Sequence, residues 1–299
     1  MFAKRHPFLF FSLIFTSIMC ATVVFLSLIT MFGFSDAELE FGEKVGVIEI
    51  EGVITDSVSI LEDIRRFRKD DSIKAIVIRI NSPGGGVAPS QEIYRELKKT
   101  IKTKKVIASL GAIAASGGYY IAAGTSGIMS SPGTITGSIG VIMGFTNIEE
   151  LFKKIGLSPV IIKSGQYKDI GSPAREMTPD EKELLQSFSD NIHDQFIKDV
   201  ADGRFLTIEK VKEFADGRIL SGEQAKMLGL VDHLGNFQDA VQWAGNLSGI
   251  KGDIIIVYPK KNRFLFLEEL IEGAIQKFVN AMTSCSLINS SDYILNFSR

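Results

Sequence analysis

The chain has 299 residues, 45% of them apolar and 23% charged, enough for a full core in one large domain or two small ones and too apolar for a disordered chain. Setting aside Lys4 and Arg5, 31 basic side chains face 35 acidic ones, so no basic footprint for nucleic acid is present. The two cysteines, Cys20 and Cys285, show neither a Cys-x-x-Cys nor a His/Cys spacing, which points away from a metal site.

Lys4 and Arg5 precede an uncharged apolar stretch at 8–34, long enough to cross a hydrocarbon core of about 30 Å. Asp36, Glu38 and Glu40 follow it. The positive-inside bias therefore predicts a cytoplasmic N-terminus at 1–7, a transmembrane anchor at 8–34 and a body outside the cytoplasm. A cleavable signal peptide is the rival, but its apolar core runs to only about 7–15 residues. Ser17-Ile-Met-Cys20 matches a lipoprotein cleavage box in part, with Met19 a poor residue before a lipidated cysteine. Within a membrane segment, Cys20 could not pair with Cys285.

Beyond the anchor, short β-rich runs alternate with amphipathic helical ones, the pattern of an α/β domain with parallel strands. Strands are predicted at 45–50, 74–80, 105–109 and 159–163. Between the second and third, Ile93, Leu97 and Ile101 stand at fourfold spacing in a helix over 89–100. The run Asn-Ser-Pro-Gly-Gly-Gly at 81–86 lies between that strand and that helix, and its glycines let backbone N–H groups face an anion without side-chain cover. It has neither the Gly-Lys-Ser/Thr ending of a phosphate-binding Walker loop nor the dinucleotide fingerprint. An oxyanion-hole loop fits better.

After the third strand, Ser116 stands in Ala114-Ala-Ser-Gly-Gly-Tyr-Tyr120, at the opening of a helix. Small neighbours crowd the approach to its hydroxyl, and Gly117 and Gly118 leave N–H groups uncovered where a helix dipole would stabilise a developing oxyanion. Acyl transfer is the chemistry suggested; an ordinary N-cap is the plain alternative.

A serine nucleophile needs a base, and the chain has three histidines. His6 lies before the anchor, His193 on the expected polar side of a helix, and His233 in a turn; each reads as an ordinary surface or packing residue. A lysine can replace histidine where burial strips its solvent, since a free amine with a reference value of about 10.4 is almost wholly charged near neutral pH. Lys168, in Ser164-Gly-Gln-Tyr-Lys-Asp-Ile-Gly-Ser-Pro173, lies in a loop beside Tyr167. Asp169 is adjacent and must point elsewhere if Lys168 is the base; a solvated Lys168 paired with Asp169 is the competing reading.

Thr178-Pro-Asp-Glu181 has the form of a capping box with proline at the first helical position, and Leu184, Leu185, Phe188, Ile192, Phe196 and Val200 mark the apolar face of the helix it starts. Ser221-Gly-Glu-Gln224 starts a short helix, followed by a turn or short strand at 231–235. A strand at 253–258 and an amphipathic helix at 264–282 complete the chain. The expected division is a body at 35–250 and a tail of strand and helix at 251–299.

Taken in order, 81–86, 114–120, Thr134-Ile-Thr-Gly-Ser-Ile-Gly-Val141, 163–173, Ala215-Asp-Gly-Arg218 and Gly229-Leu-Val-Asp232 resemble signal peptide peptidase A in its short, single-unit bacterial form, over about 44–244. The resemblance implies a ClpP/crotonase-like α/β superhelix behind an N-terminal transmembrane helix in the bacterial inner (plasma) membrane. It implies a serine endopeptidase that degrades signal-peptide remnants and other extended apolar peptides, needing no cofactor and no metal. Ser116 matches its nucleophile and Lys168 its general base, with backbone N–H groups of Gly85 and Gly117 as the oxyanion hole. Ser138 could orient the lysine or simply form its turn, and Ile113 and Ile139 could line an apolar groove or belong to the core. The resemblance further implies a ring-shaped homo-oligomer in which the lysine approaches the serine from a neighbouring subunit. A related membrane serine peptidase with other substrates, a crotonase-like acyl-thioester enzyme and an inactive membrane scaffold are the alternatives.

Overall fold

The computed structural model describes residues 6–33 and 42–259. Lys4, Arg5, Asp36, Glu38, Glu40, Cys285 and the helix expected at 264–282 lie outside the described residues.

Helix α1 (Pro7–Gly33) has proline at its first position and no charged residue. Its 27 residues give a rod of roughly 40 Å at about 1.5 Å per residue. Within it, Pro7–Ser27 has a mean hydropathy of 2.4, long and apolar enough to cross a membrane.

The second unit, from Lys44 onward, is built on β1 (Glu43–Ile54), α2 (Val58–Lys69), β2 (Ile73–Gly85), α3 (Val87–Thr100), β3 (Lys105–Ala115), α4 (Gly117–Ala123), β4 (Gly127–Ser130) and β5 (Ile135–Gly137). It continues with α5 (Glu149–Lys154), α6 (Pro179–Arg204), α7 (Ile208–Lys212), β6 (Ile219–Ser221), α8 (Gly222–Met227), β7 (His233–Leu234), α9 (Phe237–Leu247) and β8 (Ile254–Val257). The sheet order is β6-β5-β3-β2-β1-β8, with β4 paired to β3 and β7. Pairing is parallel from β1 to β2 to β3 and antiparallel between β5 and β6, so the sheet is mixed.

The three long strands are apolar on both faces because both faces are covered. Ile48 and Ile50 of β1, Ile76, Ile78 and Ile80 of β2, and Val106, Ala108 and Leu110 of β3 share one core with α2, α3, α4 and α6. The alternating residues Val45, Val47, Ala75, Val77 and Ile107 pack instead with Ala240, Val241 and Ala244 of α9. That strict period of two is what pins the register.

Past this regular part the sheet forks. The first half of β3 pairs with β4 (Ile107↔Gly127 to Leu110↔Ser130), whereas its last residues pair with β5 (Ile113↔Ile135 to Ala115↔Gly137). The β2–β3 register slips between Ile80 and Ser82 at the same level. The parallel arrangement brings the ends of β1, β2 and β3 together at Ile54, Gly85 and Ala115, the side of an α/β sheet where ligands bind.

One expectation is corrected: residues 159–163 form no strand, Val160 and Ile162 being 86% and 96% exposed, and among the described residues no strand pairs with this β-prone run. Ile139, which could line a groove or belong to the core, is fully buried in the main core. The capping boxes at Thr178/Glu181 and Ser221/Gln224 both form, and α6 ends with Phe205 in the left-handed conformation at φ 54°.

Candidate active site

Ser116 occupies the sharp turn from β3 into α4 at φ 51° and ψ −119°, a conformation that L side chains rarely adopt. Such a residue persists only when its surroundings over-determine it. Here the Ser116 N–H donates to the Gly137 carbonyl (2.9 Å), and its own carbonyl accepts from the Tyr120 N–H (2.8 Å). The glycine loop at the end of β2 closes over the same turn. Gly84, at φ 106°, lies so close that a Cβ there would sit 2.8 Å from both the Ser116 Cβ and the Gly117 nitrogen. A Cβ on Gly85 would meet the Ile54 carbonyl oxygen at 2.2 Å, so the loop reaches this position only without side chains.

The loop and the turn thereby bring Gly85 and Gly117 together: a Cβ on Gly117 would lie 3.3 Å from the Gly85 nitrogen. As the first residue of α4, Gly117 has no intrahelical acceptor for its N–H. Ser138, also left-handed at φ 51°, is adjacent through Gly137 and donates its N–H to the Arg218 carbonyl (2.8 Å).

Ser116, Gly85, Gly117 and Ser138 line one cavity of about 590 Å³. Val87, Tyr120, Val141, Ile142, Ile192 and Phe196 supply its apolar wall, and neither Ile113 nor Ile139 does. Helix α6 contributes a polar stripe, Gln186, Ser189, Asp190 and His193. His193, expected as an ordinary surface or packing residue, thus shares the cavity with Ser116, and among the described residues its buried Nε2 has no hydrogen-bond partner. The spacing of these four at three and four residues, flanking the apolar stripe of the same helix, is the signal by which sequence could have found them.

Helix α6 is clamped to α4 from beneath. The Tyr120 hydroxyl donates to the Asp199 carboxylate, which also takes two bonds from the Arg95 guanidinium (3.0 Å each). Burial, then the bond to Asp199, pushes the Tyr120 hydroxyl well above the ordinary phenol value. At the cavity rim, the Arg218 side chain holds the Asp216 carboxyl down at about 2.

Lys168 is not among the residues lining this cavity in one copy of the chain; it is exposed, in a turn closed by the Lys168 N–H to the Gly165 carbonyl (3.3 Å). Asp169 points away from it. The Asp169 carboxylate takes Nε of Arg175 (2.9 Å) and Nζ of Lys163 (2.5 Å), and Arg175 first and Lys163 second hold it well below the ordinary carboxylate range. Arg175 forks onward to the two oxygens of Glu181 (2.8 and 2.5 Å). Glu181 is buried, accepts the Thr178 N–H (2.9 Å), and is held at about 2 by Arg175 first and the Thr178 N–H next. Among the described residues no group of three or more His, Cys, Asp or Glu side chains is placed to hold a metal.

Comparison with known proteins gives two family matches: "Peptidase family S49" over residues 98–251 and "Clp protease" over residues 43–136. The protein named "Putative protease slr0021" of Synechocystis is 49% identical over 71% of the chain and 76% of its own length. "Putative signal peptide peptidase SppA" of Enterococcus faecium is 36% identical over 67% of the chain and 62% of its own length. "Protease 4" of Salmonella typhi is also 36% identical, over 70% of the chain, which spans only 35% of that longer relative. The Clp protease match falls on β1 through β5, the part of the fold that holds the Ser116 turn.

Proposed function

Because the chain belongs to peptidase family S49, the signal peptide peptidase A family, and so is a serine protease, we propose that Ser116 is its nucleophile and that Lys168 of a neighbouring copy is the general base. The observation that carries the reading is the left-handed Ser116 turn, opening on a cavity beside Gly85 and Gly117. That geometry resembles a nucleophile elbow, where a strained strand-to-helix turn lifts a hydroxyl to the carboxyl edge of a sheet.

In the proposed reaction the Ser116 Oγ attacks a peptide carbonyl while the neutral Lys168 amine takes its proton. The N–H groups of Gly85 and Gly117 hold the oxyanion. Lys168 returns the proton to the leaving amine, then activates the water that releases the acyl group. Ser138 orients the incoming lysine in this reading.

A second copy is invoked because Lys168 does not line the cavity of its own chain. The segment between β5 and α6 supports it: Ile142, Val160 and Ile162 are 97%, 86% and 96% exposed, apolar side chains that a neighbouring copy would cover. A ring of such copies is the proposed assembly. Substrates are extended apolar peptides suited to the aliphatic wall, with signal-peptide remnants as the class that the name of the Enterococcus relative suggests. Helix α1 is the proposed single-pass anchor, with its N-terminus cytoplasmic and the body outside.

The test uses detergent-purified full chain and a quenched apolar peptide. Ser116→Ala and Lys168→Ala alone should each be inactive. Mixed, dissociated and reassembled at equal amounts, they should recover about a quarter of wild-type activity, since a quarter of head-to-tail neighbours then pair an intact serine with an intact lysine. A second reading, favoured by the place of His193 in the cavity, has the imidazole serve Ser116 within one subunit. It predicts that His193→Ala is inactive, that Lys168→Ala is active, and that the mixture shows only the half contributed by its Lys168→Ala subunits.

A further inference from the structure

We infer that Arg175 is a positioning residue for catalysis: it fastens the turn bearing Lys168 to the first turn of α6, so that the lysine is presented at a fixed place and its neighbouring carboxylate is kept occupied. The inference rests on the Ser116–Lys168 reading and adds a residue to it.

The turn itself offers little to hold a lysine still. Residues 164–168 are all exposed, and the local backbone bonds, Lys168 N–H to Gly165 and Ile170 N–H to Tyr167 (3.1 Å), fix its shape but not its place. Arg175 supplies the place. One edge of its guanidinium engages Asp169 twice, at the carboxylate (2.9 Å) and at the carbonyl oxygen (3.4 Å). The other edge forks onto Glu181. Glu181 is the third residue of α6 and is locked there by the capping box with Thr178. Arg175 also donates to the Glu176 carbonyl (3.0 Å), and Ile148 N–H to the Pro173 carbonyl (2.8 Å) ties the same strap to the exposed segment. A planar fork that binds two carboxylates at fixed angles is work for arginine, and lysine cannot reproduce it.

The chemical effect is as direct as the mechanical one. Asp169 adjoins Lys168 in sequence, and a free carboxylate beside an amine favours the charged form, which cannot accept the serine proton. With both oxygens committed, one to Arg175 and one to Lys163, that carboxylate is turned aside.

The test is done on full-length protein. Arg175→Met should lower kcat about 30- to 100-fold with KM within about twofold, since a displacement near 1 Å in a reacting group costs on the order of a hundredfold. Arg175→Lys should recover only part of the loss. Because methionine leaves the buried Glu181 without a cation, the pair Arg175→Met/Glu181→Gln is made alongside and should show the same kcat loss with restored folding. The decisive arm uses the mixed assembly. Arg175→Met placed in the Ser116→Ala subunit, which lends the lysine, should remove the recovered activity; placed in the Lys168→Ala subunit it should not. Equal losses in both placements, or a kcat within twofold of wild type in the uniform variant, would overturn the inference. Should Lys168→Ala alone stay active, the Ser–Lys reading fails and takes this one with it. Should only the mixing fail, the sharing between subunits is wrong, and the kcat and KM values of the uniform variants decide on Arg175.

Discussion

Replacing Gly84 by alanine probes the closeness of the loop to Ser116, the proposed nucleophile, without touching a proposed reacting group. The new Cβ would stand 2.8 Å from the Ser116 Cβ and the Gly117 nitrogen and 3.0 Å from the Ala115 carbonyl oxygen, whereas ordinary contact begins at 3.4 Å. Something must give by about 0.6 Å, and every neighbour is backbone or a Cβ next to it. If misplacement by about 1 Å costs on the order of a hundredfold, 0.6 Å costs roughly 10- to 20-fold in kcat. The φ of 106° adds about 1–3 kcal/mol of backbone strain, which in a domain of this size lowers the thermal midpoint by roughly 2–10 °C. The assay is peptide hydrolysis, together with the rate at which a fluorophosphonate probe phosphonylates Ser116 with loss of fluoride, both below the melting range. Gly133→Ala, where nothing lies within 4 Å, serves as the silent control. A Gly84→Ala enzyme with kcat within twofold of wild type and an unmoved midpoint would refute the close approach on which the oxyanion assignment stands.

Two further outcomes follow from the packing and charge around the site. Gly203→Ala should destabilise the fold although alanine gains up to about 1 kcal/mol in helix propensity, because its Cβ would stand 2.0 Å from the Ala123 carbonyl oxygen, and overpacking against backbone costs about 1–3 kcal/mol or more; calorimetry showing a raised midpoint would reject this. Glu181 is held at about 2 in the folded chain against an ordinary value of 4.5, so its contribution is fully present above about 4.5 and drains away as pH falls toward 2. Amide protection relative to the intrinsic exchange rate should therefore fall over 163–181 across that window, and Glu181→Gln should flatten the response; an unchanged pH dependence in the variant counts against the Arg175 strap.

Much of the frame was legible because its causes are local. The alternation that sorts Val45 and Val47 from Ile48 and Ile50 is written in the strand itself, and the capping boxes at Thr178 and Ser221 need only four residues each. The helix at Val58–Lys69 was not legible: only Ile64 and Phe67 are buried, and six charged side chains blur the period. Residues 159–163 carry a real β preference, but a strand is made by its partner, and this run has none among the described residues. At the site, Ser116 could be picked out because small neighbours and glycines are unusual beside a hydroxyl. Lys168 could not be chosen on residue type, since an exposed lysine next to an aspartate is an ordinary surface pair. What distinguishes it is the long-range occupation of Asp169 by Arg175 and Lys163, a fact of geometry six residues away on either side.

The left-handed turn at 116 also sets a direction for drift. A glycine there would remove the hydroxyl and relax the backbone in one step, so, on the proposed nucleophile role, the inactive protein would outlast the active one on heating. On that proposal, retaining serine is a standing concession of durability to chemistry. In any lineage where peptide cleavage ceased to matter, this position would be among the first to slide, and glycine is the residue it would slide toward.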